Sequence, residues 1–123
     1  VRGQTIAPLT VEPPVPDAVQ VTQKESEMIN ELIWAASMGE MRAIQRLIAR
    51  GADLEGADYD RRTPLHLAAS EGHAAIVRFL LDQRVSANPR DRWGFTPLDD
   101  ANRHGHAEVV QVLEARGGAT GAA

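Results

Sequence analysis

"TPLHLAASEGHAAIVRFLL", residues 63–81, is the stretch whose reading decides the fold. Thr63 is a helix-capping residue type, and Pro64 fits a first helical position, where no N–H partner is lost. The small Ala68 and Ala69 let helices approach closely. Gly72 ends this first helix, because a left-handed residue is cheap for glycine. Ile76, Val77, Leu80 and Leu81 then fall on one face of a second helix. A polar loop, "DQRVSANPRDRWG" (82–94), turns the chain back.

The pattern recurs. Laid on itself with an offset of 33, the chain aligns Leu32, Leu65 and Leu98 without a gap. Ala35, Ala68 and Ala101 align too, as do Gly39, Gly72 and Gly105, and Leu47, Leu80 and Leu113. Ile44, Val77 and Val110 form a conservative column. The last two units share more: Asp58 with Asp91, "TPL" 63–65 with "TPL" 96–98, and His73 with His106. So many columns at one period are a solenoid signature. One helix pair cannot bury its own apolar face, whereas three stacked pairs can if the ends are covered. The third unit carries Glu114 where the others have Ile48 and Leu81, as a terminal cap requires.

These features predict an all-α solenoid of three stacked helix-turn-helix units of 33 residues, joined by short finger loops. The repeats are expected over 24–116, as units of about 24–57, 58–90 and 91–116. Residues 1–23 hold four of the seven prolines and no helical or strand period. They read as an extended, Pro-rich linker. "GGATGAA" (117–123) reads as a frayed tail. Because the first residue is Val1, the chain is expected to be an excised piece of a longer protein, or a processed one.

The bulk numbers narrow the function classes. With 43% hydrophobic and 24% charged residues among 123, the chain suits one ordinary globular domain. A net charge of −4 argues against non-specific binding to nucleic acid or an anionic membrane. No cysteine is present, which removes disulfides, thiolate ligands and Cys nucleophiles. That fits a reducing compartment, and a cytoplasmic location is the expectation. No apolar run approaches the roughly 18 residues of a membrane helix.

The 63–81 pattern resembles the ankyrin repeat. Thr63, Pro64, Leu65, His66, Ala68, Ala69, Gly72, His73, Ile76, Val77, Leu80 and Leu81 match that consensus. Unit one has "MINELIWAASMGEM" (28–41) in place of a Thr-Pro start, and looks like an N-terminal capping repeat. A narrower resemblance is also visible. "DYDRRTPLHLAASEGHAAIVRFLL" (58–81) followed by "NPRDRWGFTPLDDA" (88–101) is similar to the C-terminal ankyrin module of the kidney- and liver-type glutaminases. Asn88, Pro89, Asp91, Arg92, Trp93, Asp99 and Asp100 carry the specific part. The ankyrin tails of plant potassium channels share some of it.

Glutaminases resemble serine β-lactam-type enzymes in using a Ser-x-x-Lys pair. The single lysine here, Lys24, has Val21 three residues earlier, so that mechanism cannot reside in this chain. Counting residues leaves a Ser-His-Asp triad open, but there is no Gly-x-Ser-x-Gly elbow, and a three-repeat stack offers no deep pocket. Gly-x-Gly-x-x-Gly and Gly-x-x-x-x-Gly-Lys are absent. The arginines of "DRRTP" (61–64 with Asp60) and "NPRDR" (88–92) are interleaved with carboxylates, which argues against a uniform basic patch.

"DRWGFTPLDDANRHGH" (91–106) holds the residues most suggestive of chemistry. Asp100 and His104 are one helical turn apart, a weak hint of a metal pair that still lacks a third ligand. The competing reading is structural. Asp99 stands where unit two has His66, and Asp100 where it has Leu67. Carboxylates near a helix start gain roughly 0.3–1 kcal/mol each from the dipole and free N–H groups. The resemblance gives His66 a hydrogen bond to the neighbouring turn, and the period gives His73 and His106 a role in the inter-helix turn. Trp93 is expected either to pack on the preceding finger, near Tyr59 and Arg61 or Arg62, or to meet a partner. Trp34 is expected to cover the open end of the stack, or to pack on the Pro-rich arm or a neighbouring domain.

The resulting expectation is a non-catalytic docking module, with no cofactor and no metal. Its protein-contact residues would be Tyr59, Asp60, Arg62, Ser70, Glu71, Arg92, Trp93, Phe95, Arg103 and His104. The partner would be a second protein, the parent's own catalytic domain or a further copy, and neither nucleic acid nor membrane. The parent implied by the resemblance is a glutaminase, converting L-glutamine to L-glutamate. The alternatives are a channel tail or stand-alone adaptor, and a small metal-dependent enzyme built on 91–106.

Overall fold

The computed structural model describes residues 22–121. The stretch expected to be a linker lies outside it, except for Thr22 and Gln23, which begin the first helix. Six helices and no strand occur among the described residues: α1 (Thr22–Met38), α2 (Met41–Ala49), α3 (Pro64–Ser70), α4 (Ala74–Asp82), α5 (Pro97–Arg103) and α6 (Ala107–Ala115). They form three antiparallel pairs. The first helices stack in a row, α1 on α3 on α5, and α4 packs on α6 behind them.

The periodic columns make the core. Leu32, Leu65 and Leu98, Ala35, Ala68 and Ala101, and Leu47, Leu80 and Leu113 are all buried. Alanine at the contact between first helices keeps the spacing short. Val110, the third member of the Ile44–Val77 column, is half-buried, and its neighbour Val109 is buried instead. Glu114 is exposed, in keeping with a capping unit.

Local chemistry starts and stops each helix. Thr63 accepts a hydrogen bond from the His66 N–H (3.4 Å), and His66 Nδ1 accepts from the Thr63 N–H (3.1 Å). Thr96 and Asp99 repeat this reciprocal cap: Asp99 Oδ2 accepts from Thr96 N–H at 2.9 Å. Gly39, Gly72 and Gly105 follow the first helices at φ +74°, +79° and +71°. Gly72 is needed for a second reason, since a Cβ there would lie 2.7 Å from the His106 ring.

The histidines join repeats. Because Nδ1 of His66 accepts from its own cap, Nε2 carries the proton and donates to the Phe95 carbonyl of the next finger (2.9 Å). His73 and His106 reach backward: their Nε2 atoms donate to Ser37 O (2.8 Å) and Ser70 O (2.9 Å), at the end of the preceding first helix. The role expected within the inter-helix turn is therefore a bridge between successive turns.

The segment after α6 departs from the expectation of fraying, at least through Gly121. Asn88 donates from Nδ2 to Gly117 O (3.0 Å) and accepts from Ala119 N–H (2.7 Å). The Thr96 hydroxyl donates to Ala119 O (2.7 Å), and Asp99 Oδ2 accepts from Gly121 N–H (2.7 Å). The segment thus lies where a fourth finger would follow. A histidine in this register donates to the next finger's carbonyl, whereas an aspartate accepts from an N–H.

Candidate functional site

Two fingers, numbered by their repeats as the second (58–62) and the third (91–95), project beside the row of first helices, and each is closed by an aspartate. Asp58 Oδ1 accepts from the N–H groups of Asp60 (2.9 Å) and Arg62 (3.0 Å). Asp91 Oδ1 accepts from those of Trp93 (2.9 Å) and Phe95 (2.9 Å). The same turn geometry puts Arg61 and Gly94, 33 residues apart, at positive φ (62° and 86°). The fingers are tied together by Arg92, whose N–H donates to Asp60 O (2.8 Å) and whose guanidinium pairs with the Asp60 carboxylate (3.2 Å).

Between the fingers and the ends of α3 and α5 lies an open cleft of about 360 Å³. Arg62, Ser70, Asp91, Trp93, Phe95, Asp100, Arg103 and His104 line it. Six of the ten expected contact residues therefore meet in one place. The other four do not line it. Tyr59 is 94% exposed at the tip of the second finger and faces a separate groove with Ser26, Ile29 and Asn30. Asp60 and Arg92 bind each other, and Glu71 is exposed just beyond α3.

Trp93 is 60% exposed, so it is not buried on the preceding finger; the Arg92 guanidinium lies 5.3 Å from its ring centroid. Arg103 lies 4.6 Å from the Phe95 ring centroid. Each aromatic ring of the third finger thus has one of the chain's own arginines against one face and remains partly open to solvent. Trp34 is also uncovered, at 66% exposed, and so does not close the end of the stack within the described residues.

Asp100 is the cleft residue that sequence reasoning left out of the expected contact set. It lies in the first turn of α5 and is buried. Oδ1 accepts from Arg103 Nη2 at 2.6 Å, while the buried Oδ2 has no hydrogen-bond partner among the described residues. Burial pushes its carboxyl above the ordinary aspartate range, against the pull of His66, Arg103 and Arg62, and nearby Asp91 adds to the rise. The available signal was the register: Asp100 shares a column with Trp34 and Leu67, where a carboxylate breaks an apolar pattern. Asp99 behaves oppositely. Slight burial works against ionisation, but the Thr96 and Gly121 N–H groups, the Thr96 hydroxyl and Arg103 together lower its pKa.

No group of three or more His, Asp or Glu among the described residues is placed to hold a metal ion. His104 is exposed and its ring stacks toward His106, with centroids 6.3 Å apart. No described helix is long and apolar enough to cross a membrane.

A family model described as ankyrin repeats, in three copies, matches residues 32–120. The chain belongs to the ankyrin-repeat family. Ankyrin repeats are non-catalytic units that mediate protein–protein interaction, and the three helix pairs are those repeats. Its relatives sit in different parents. The chain is 42% identical over 90 residues to the liver isoform of mitochondrial glutaminase from Rattus norvegicus, covering 72% of this chain and 15% of that protein. It is 42% identical over 86 residues to the potassium channel KOR1 of Oryza sativa subsp. japonica, covering 70% and 10%. Serine/threonine-protein kinase 12 of Arabidopsis thaliana is 34% identical over 119 residues, covering 94% and 26%. The chain spans about a quarter or less of these relatives' lengths.

Proposed function

We propose that this ankyrin domain is a docking module of a larger, glutaminase-like protein, and that the cleft between its second and third fingers seats the partner. The partner is the parent's own catalytic domain, a further copy or a separate protein. Conversion of L-glutamine to L-glutamate would belong to a catalytic domain elsewhere in the parent, acting in the cytoplasm. The observation that carries the docking reading is the third finger, where Trp93 and Phe95 stay solvent-exposed beside a buried carboxylate that lacks a partner for one oxygen. Trp and Arg dominate interface hot spots, and Arg62, Arg92 and Arg103 surround those rings. Tyr59, Asp60, Glu71 and Arg92 would form the rim.

The match to the liver glutaminase, together with Asp91-Arg92-Trp93-Gly94, supports that parent. A channel or kinase parent is the second reading, favoured by the relatives of those kinds. The parent's residues upstream of Val1 discriminate. A serine-hydrolase domain with Ser-x-x-Lys supports the first reading, and a membrane segment or kinase domain overturns it. Docking itself is tested with the Trp93→Ala, Phe95→Ala double variant in the whole parent. Loss of module–partner association on sedimentation is expected, and unchanged association refutes the cleft.

A further inference from the structure

The end of the stack at α1 and α2 departs from the repeat in several registers at once. His73 and His106 each donate backward to the preceding turn, and unit one carries Glu40 in their place. Phe79 and Val112 lie half-buried against the core, and unit one carries exposed Arg46 in that column. These exchanges remove the bridge and the apolar contact with which a repeat stacks on the one before it. Yet the same end is not polar throughout. Trp34 (66% exposed) and Met38 (52%), one turn apart on α1, stand where unit three has Asp100 and His104. Beside Trp34 an open groove of about 310 Å³ runs between α1 and α2, with Ala35, Ala43 and Leu47 as its apolar floor. This end is thus unsuited to a further ankyrin repeat but keeps a narrow aromatic surface, wide enough for one extended chain.

The protein supplies such a chain. Residues 1–21 lie outside the described structure and end where α1 begins, at Thr22. Among them "PPVP" (13–16) holds Pro13, Pro14 and Pro16. We propose that this proline cluster docks on Trp34 along the groove between α1 and α2. The lengths match. Trp34 lies twelve residues past Thr22, about 18 Å along a helix rising 1.5 Å per residue. An extended proline-rich chain advances about 3.1 Å per residue, so running back along α1 from Thr22 it comes level with Trp34 near Pro16 and with Met38 near Pro14. The chemistry matches as well. Proline-rich segments lie in aromatic-lined grooves, and their stiff backbone loses little freedom on ordering. The tether supplies an effective concentration of roughly millimolar, so a weak contact is enough. Docking of this kind turns the proline-rich stretch from a free spacer into a fixed path along α1, which sets where the upstream chain leaves the repeats.

The test uses the full 123-residue chain carrying Trp93→Phe, which leaves Trp34 as its sole tryptophan, and reads acrylamide quenching of Trp34 fluorescence. The comparison is the same chain with Pro13→Ser, Pro14→Ser and Pro16→Ser. Those positions lie outside the repeats, so helix content by circular dichroism is expected to stay the same. The quenching constant is expected to rise about twofold when the prolines are lost, because a ring stacked on one of the two indole faces shields roughly half of it. A second measurement keeps the prolines and both tryptophans. The chain has no cysteine, so Val11→Cys takes a single nitroxide label. The label is expected to broaden the indole N–H resonance of Trp34 and to leave that of Trp93 sharp. Equal quenching with and without the prolines, or equal broadening at the two tryptophans, overturns the proposal. So does protection of Trp34 that appears only as protein concentration rises, which would assign the groove to a second copy.

Discussion

Replacing Asp100 by leucine exchanges a buried carboxylate for the side chain that the second repeat carries in the same register, at Leu67. Two terms set the outcome. The orphaned Oδ2 costs about 1–3 kcal/mol, as a buried polar atom without a partner does. The pair with half-exposed Arg103 contributes only about 0–1 kcal/mol, because solvent screens it. Asp100→Leu is therefore expected to stabilise the fold by about 1–2 kcal/mol at neutral pH, with part of the apolar gain given up to imperfect packing. For a domain of this size that is a rise of roughly 5–10 °C in Tm. The gap should depend on pH. Asp100 has a raised folded-state pKa, so the folded protein binds its proton more tightly than the unfolded chain. Wild type therefore gains on the variant as pH falls from neutral through the raised pKa, and the gain is complete below the ordinary aspartate range. Urea unfolding followed by circular dichroism, at neutral and acid pH, measures both effects. A variant less stable than wild type at neutral pH would refute the reasoning, since it would mean that the carboxylate is satisfied.

Three further substitutions probe the frame. Arg84 sits at φ +68°, in a register where Gly51 and Gly117 occupy the same conformation, so Arg84→Gly should stabilise by about 0.5–1 kcal/mol in thermal melts. Gly72→Ala combines a positive φ with a Cβ 2.7 Å from the His106 ring, and should cost about 2 kcal/mol or more in urea unfolding. Asp99, with a lowered folded-state pKa, contributes stability above the ordinary aspartate pKa and loses it as pH falls through the lower value. Asp99→Asn should flatten that acid limb and speed amide hydrogen exchange at Gly121, whose N–H donates to Asp99.

What the sequence discloses and what it hides follow from the range of the interactions. The helix pairs are written locally: caps at Thr63 and Thr96, stops at Gly72 and Gly105, and apolar columns at 33. Six of the expected contact residues meet in the cleft because fingers and first-helix ends recur with that period. The direction of each polar side chain is less local. Two adjacent aspartates near a helix start read alike, yet Asp99 turns to its cap and the tail while Asp100 points into the groove. The ordering of 117–121 depends on Asn88 and Thr96, some twenty to thirty residues away.

The most direct measurement of the docking claim is photo-crosslinking in the whole parent protein from a benzophenone amino acid at Trp93, compared with one at Arg42, which is exposed on α2. Crosslinks from position 93 and none from position 42 are predicted, with those at 93 lost when Phe95 and Arg62 are also changed to alanine. Equal crosslinking from both positions, or none from 93, would contradict the account.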